Sequence, residues 1–86
     1  MHELSVALEI RRIAGERLAP SQQPQLSAVG VEVGDLSGVE PESLRFCLQA
    51  VFLEPPFRGA EPVLHRLPGD ALRVTYLEVD DGRPDD

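Results

Sequence analysis

Leu26-Ser27-Ala28-Val29-Gly30-Val31-Glu32-Val33-Gly34 is the stretch on which the fold turns. Val29, Val31 and Val33 alternate with Ala28, Gly30 and Glu32. A period of two with β-branched residues on one side marks a strand with an apolar face. Gly34 begins a polar turn, Asp35-Leu36-Ser37-Gly38, and Pro41 follows shortly after. Proline suits the first position of a helix, because its missing N–H would be unpaired there anyway. Glu40 then becomes the N-cap. Asp, Asn, Ser or Thr would cap better, but the helix dipole still favours a carboxylate at that place. Leu44, Cys47, Leu48 and Val51 form the expected buried stripe of a helix over 41–53, flanked by Phe46 and Phe52, and Pro55-Pro56 ends it.

Toward the N-terminus, residues 4–18 show helical spacing: Ala7, Ile10, Ala14 and Leu18, with Val6 and Ile13 alongside. Arg11, Arg12, Glu16 and Arg17 are expected mostly on the wetter side. Pro20 stops this helix, and residues 21–25 form a connecting loop. Toward the C-terminus, 61–67 and 71–79 have the composition of strands. Pro68-Gly69-Asp70 between them is a turn signal, which predicts an antiparallel hairpin. Residues 80–86 are acidic and are expected to be a solvated, disordered tail.

The order is α-β-α-β-β. The strand 26–34, the helix 41–53 and the strand 61–67 make a β-α-β unit with parallel strands and a right-handed crossover. The predicted class is α+β: one domain over 1–79, with two helices on one face of a three-stranded mixed sheet. The other face is left without cover from this chain, which leaves room for a partner or for a homodimer.

Composition narrows the function. The chain has 86 residues, so one small domain of modest burial is expected. Fifteen acidic residues against eight basic give a net charge of −7, and every basic residue is Arg. That balance argues against nucleic acid and against anionic membranes. Cys47 is the single cysteine, so no internal disulfide is available. With only two histidines, His2 and His65, and no CxxC pair, no structural zinc is expected. There is no apolar run long enough for a membrane span and no signal-peptide pattern at the start. A cytoplasmic location is the expectation.

Met1-His2-Glu3 is the main candidate site. The Met1 amine, the His2 backbone nitrogen and an imidazole nitrogen of His2 can close adjacent chelate rings in one plane. A metal that displaces an amide proton must gain from square-planar nitrogen ligation, which selects Ni(II) or Cu(II). The fourth donor is open: the Glu3 backbone nitrogen or a carboxylate from elsewhere. Alone, Met-His is a weak pattern and marks an idle terminus more often than a ligand.

Met1-His2-Glu3-Leu4-Ser5-Val6-Ala7 resembles the start of the HypA/HybF family of hydrogenase nickel incorporation proteins. Val31 to Glu42, followed by Leu44-Arg45-Phe46, resembles the family's second block in order and in distance from the N-terminus. Leu72-Arg73-Val74 and Leu77-Glu78-Val79 are similar to its last strand. The resemblance implies a nickel metallochaperone. It would bind Ni(II) through its N-terminus for [NiFe] hydrogenase maturation, with the hydrogenase large subunit and a nickel-handling maturation GTPase as partners. It further implies His2 as ligand, and Glu40 as the acidic residue near the site, a role compatible with capping. The implied metal site is thus Met1, His2, Glu3 and Glu40. The family normally carries a zinc domain with two CxxC pairs between its last two strands. Here Pro68-Gly69-Asp70 stands in that place, so zinc and the partner contacts of that domain are not expected.

Of the remaining candidates, His65 is either a surface histidine or an extra nickel ligand. Cys47 behaves as a small apolar residue on the buried stripe. Glu3 orients His2, meets a partner, or is simply exposed. Ser5 and Ser43 lack a GxSxG setting, and Gly34 to Gly38 lacks the Lys and Ser/Thr of a phosphate loop, so no enzymatic activity is expected. The alternative to a metal carrier is a metal-free interaction module that docks on a hydrogenase subunit or maturation protein.

Overall fold

The computed structural model describes residues 2–80. Helix α1 spans Glu3–Arg17, and a 3-10 turn, Gln23–Gln25, leads into strand β1, Leu26–Gly34. Helix α2 spans Pro41–Val51, followed by β2, Glu61–Leu67, and β3, Leu72–Val79. The class, the element order and the mixed sheet agree with the sequence expectation. Among the described residues no helix is long and apolar enough to cross a membrane.

Strand neighbours differ from the expectation. β2 and β3 do not form a hairpin; the sheet order is β2-β1-β3. β1 is central, parallel to β2 and antiparallel to β3. The physical reason lies in burial. In β1, Val29, Val31 and Val33 are at most 1% exposed, and Ala28 and Gly30 on the opposite face are buried as well. A strand buried on both faces belongs in the centre of a sheet; β2 and β3, with their exposed Arg and Glu residues, tolerate the edges.

The segment 68–71 therefore crosses the end of β1 instead of turning back on β2. It must span two strand spacings, roughly 10 Å. Backbone groups of β1 and its turn hold it there: Gly34 N–H donates to the Ala71 carbonyl at 2.7 Å, Asp35 N–H to Leu67 at 2.9 Å and Leu36 N–H to Gly69 at 2.7 Å. A Cβ on Gly34 would stand 2.3 Å from the Gly69 carbonyl oxygen, so this crossing requires a glycine.

Both helices cover the valine face. Ala7, Ile10 and Ala14 of α1 and Leu44, Leu48 and Val51 of α2 join Val29, Val31 and Val33 in one core. The two flanking phenylalanines of α2 part company. Phe52 is 1% exposed and meets Phe57 edge-on at 5.0 Å between ring centres. Phe46 is 71% exposed. Cys47 is half-buried, packed against the core rather than within it.

Arg11 is also not a free surface residue. Its Nε donates to the Val51 carbonyl at 3.1 Å and a terminal nitrogen to Pro55 at 3.0 Å, with the guanidinium carbon 5.4 Å from the centre of the Phe57 ring. One side chain of α1 thus satisfies the Val51 carbonyl at the C-terminal end of α2, which a helix leaves unpaired, and a second carbonyl in the turn after it. On the opposite sheet face, a Cβ on Gly30 would fall 2.2 Å from the Tyr76 ring, so Tyr76 lies across β1 there and gives that face a partial cover. Asp80 is not loose: its N–H donates to the Gln25 carbonyl at 2.8 Å. The expectation of a disordered tail over 81–86 falls outside the described residues.

Candidate metal centre

Topology brings the candidate residues to one end of the molecule. α1 and α2 run parallel, as one contact at their starts and a second farther along both show. At the start of both helices, Glu40 N–H donates to the Glu3 carboxylate at 3.0 Å; further along, Arg11 reaches Val51. Both helix N-termini therefore lie beside the C-terminal end of β1, where the segment 68–71 also crosses.

His2 is the N-cap of α1, extended at φ −88° and ψ 117°, with no capping bond from its side chain. Its carbonyl accepts the Val6 N–H at 3.2 Å, and the residue is exposed. Its backbone N–H precedes the helix and is not committed to the helical ladder. Met1 falls outside the described residues.

Glu3 ties the two helices together. Its carboxyl is held below the ordinary carboxylate range, chiefly by the Glu40 N–H and next by its own backbone N–H. Glu40 caps α2 in full. One carboxylate oxygen accepts the Ser43 N–H at 2.8 Å and the Ser43 hydroxyl at 3.0 Å; the other accepts the Glu42 N–H at 3.2 Å. These donors, led by the Ser43 N–H, lower its pKa, and the nearby Arg66 guanidinium adds to the effect. Ser43 and Arg66 were not legible as site residues. Ser43 follows from the capping geometry three residues after Glu40, whereas Arg66 becomes a neighbour only through strand pairing.

This end is consequently a pair of helix N-termini compensated by Glu3, Glu40 and Glu42, with the exposed His2 beside them. Among the described residues no group of three or more His, Cys, Asp or Glu side chains is disposed to hold a metal. His65 does not join His2. It pairs in register with Glu32, while its neighbour Leu64 packs on the core side, so His65 occupies the face away from the helices. The donor set available at this end is an imidazole, backbone nitrogens and carboxylates already engaged in hydrogen bonds. Such a set suits an ion that favours nitrogen ligands in a plane.

A family model described as "Hydrogenase/urease nickel incorporation, metallochaperone, hypA" matches residues 1–73. The chain belongs to the HypA family. A hydrogenase maturation factor HypA of Azotobacter chroococcum mcd 1 is 41% identical to this HypA-family chain over 71 residues, 83% of this chain and 63% of the relative. One from Desulfosudis oleivorans is 36% identical over 69 residues, 79% of this chain and 60% of the relative. Another, from Albidiferax ferrireducens, is 35% identical over 79 residues, 92% of this chain and 70% of the relative. The chain thus spans about three fifths of the length of the first two HypA relatives.

Proposed function

We propose that this HypA-family chain is a nickel carrier for [NiFe] hydrogenase maturation, non-enzymatic, which takes Ni(II) at its own N-terminus. The observation that carries this reading is the state of His2. It stands exposed ahead of α1, with its N–H outside the helical ladder, and Glu3 and Glu40 lock the adjoining helix start in place. In this reading the Met1 amine, the His2 amide nitrogen and the His2 imidazole hold the ion as cargo. Glu3 is a positioning residue whose carboxylate fixes the helix start. Glu40, whose N–H binds the Glu3 carboxylate, is the acidic residue assigned to complete the coordination, at the expense of a cap bond. The hydrogenase large subunit and a nickel-handling GTPase are the partners that the family points to, and delivery proceeds without a structural zinc.

The test is a nickel titration of protein with a native N-terminus, beside His2→Ala. About one Ni(II) per chain is expected in a diamagnetic, square-planar site, with affinity lowered about tenfold or more in His2→Ala, a change of about 1.4 kcal/mol. Equal affinity in the two proteins would refute the carrier role.

A second reading, a metal-free docking module, is supported by two exposed apolar side chains: Phe46 on α2, 71% exposed, and Leu53, two residues beyond the end of α2, 69% exposed. Recovery of a hydrogenase maturation partner from the native host by the His2→Ala protein, undiminished, would favour it.

A further inference from the structure

β3 is an edge strand. Its inner edge pairs with β1, and its outer edge pairs with no strand among the described residues. Eight residues without proline or glycine on such an edge form a template for another strand. Leu72, Val74, Leu77 and Val79 pack toward the core, while Arg73, Thr75, Tyr76 and Glu78 are exposed. A bulge makes this pattern possible. Gly30 pairs with Tyr76 and Val31 with Val74, which leaves Thr75 as the extra residue. Val74 and Leu77, three apart, therefore share a face that a regular strand would deny them.

The pattern reads the same in both directions about the midpoint of Thr75 and Tyr76. A two-fold axis at that point, perpendicular to the sheet, lays β3 antiparallel to a second β3. Leu72 then faces the partner's Val79, Arg73 the partner's Glu78, Val74 the partner's Leu77 and Thr75 the partner's Tyr76. A two-fold contact demands this kind of self-complementarity. Each bulge meets the other bulge, so both strands carry the same extra residue; against a regular strand it would be unmatched.

Charge and shape agree with this register. Arg73 uses its Nε on Glu32 at 2.6 Å, which leaves its terminal nitrogens for a further carboxylate. The Glu78 carboxylate has no ion-pair partner among the described residues. An open apolar groove of about 400 Å³ separates α1 from β3, lined in part by Val6, Ile10, Ile13, Leu72 and Val74. It flanks the half of β3 against which the axis sets the partner's Leu77 and Val79.

We propose that the chain self-associates as a two-fold dimer through β3, forming a continuous six-stranded sheet in which Leu77 and Val79 of each copy fill the α1/β3 groove of the other. Antiparallel pairing sends the two His2 ends to opposite ends of the dimer. Each subunit keeps its own metal site, and the dimer neither requires nor creates a shared one.

Sedimentation equilibrium of the full chain, without nickel, over a wide concentration series tests this. A reversible monomer–dimer equilibrium is expected. Glu78→Arg disturbs no ion pair within the subunit and sets guanidinium groups against each other at both ends of the contact; it should weaken the dimer about tenfold or more. Arg73→Glu should do the same with carboxylates. Mixing the two variants restores both opposite-charge pairs and should recover a heterodimer, with far-UV circular dichroism confirming that each variant is folded. Purely monomeric wild-type protein at the highest concentration would overturn the proposal. So would a dimer indifferent to Glu78→Arg, or folded variants that stay monomeric when mixed. Because no metal is involved, none of these outcomes bears on the nickel reading.

Discussion

Gly34 shows how a single missing Cβ can choose a topology. Without it, the carbonyl of Gly69 could not lie against the end of β1, and the crossing from β2 to β3 would lose its path. Gly34→Ala should destabilise the protein by about 1–3 kcal/mol, because the atom it meets is backbone and cannot rotate away. Gly15→Ala is the matching control. It lies inside α1 with nothing within 4 Å of the added atom, and it should stabilise by about 0.4–1 kcal/mol. Urea denaturation of both variants measures the contrast; similar losses in the two would mean that the crossing is not what Gly34 serves. Arg11 teaches the complementary lesson. Its position on α1 looks solvated, yet its length lets it reach past the helix and bond the last carbonyl of α2 and a second one in the turn that follows.

At the scale of elements, the parallel arrangement of α1 and α2 is pinned at the start of both by Glu3 and, from the middle of α1 to the end of α2, by Arg11. The pin at the start has a pH signature. Glu3 is held below the ordinary carboxylate range by the Glu40 N–H first, and Glu40 by the Ser43 N–H first. Both lowered values mean that folding favours the ionised form. The contribution is complete at neutral pH, begins to fade as pH falls through the ordinary value of 4.5, and is lost once pH passes the depressed folded values. Thermal melts from about pH 7 down to about pH 3 should therefore show a steeper loss of Tm in the wild type than in Glu3→Gln/Glu40→Gln. The double variant should start from a lower Tm at neutral pH. Parallel acid limbs would contradict the role given to these two carboxylates.

Much at this scale was legible. The 3.6 spacing of Ala7, Ile10 and Ala14, the Glu40-Pro41 start and the valine alternation place α1, α2 and β1 to within about two residues. Phe46 and Phe52 were not distinguishable in this way. Both flank the α2 stripe by spacing, but only Phe52 sits where the chain after the helix returns with Phe57 to cover it. For the candidate site, His2 and Glu40 were named from pattern and resemblance. The hydrogen bond that joins Glu3 to Glu40 depends on residues 37 positions apart and had no local signal.

On the scale of the whole molecule, the described chain closes its core with four residues between β2 and β3 and no cysteine among them. Stability should then be independent of zinc. Dialysis against a strong chelator is expected to leave Tm unchanged, as read by differential scanning calorimetry. A marked fall, reversed by added zinc, would show that metal does hold this fold.

What the sequence determined by itself was the set of elements, the apolar face of each helix and of β1, and the choice of His2 as the candidate N-terminal ligand, because all of these depend on local spacing and residue chemistry. Which strands are neighbours was decided only in three dimensions. Alternation says which side of a strand is apolar and nothing about what lies beside it. Placing β1 in the centre needed burial on both of its faces at once, with Val29, Val31 and Val33 beneath the helices and Ala28 and Gly30 small enough on the other side for Tyr76 to cross. The same packing carried Glu3 to Glu40 and gave the exposed N-terminal histidine a fixed base.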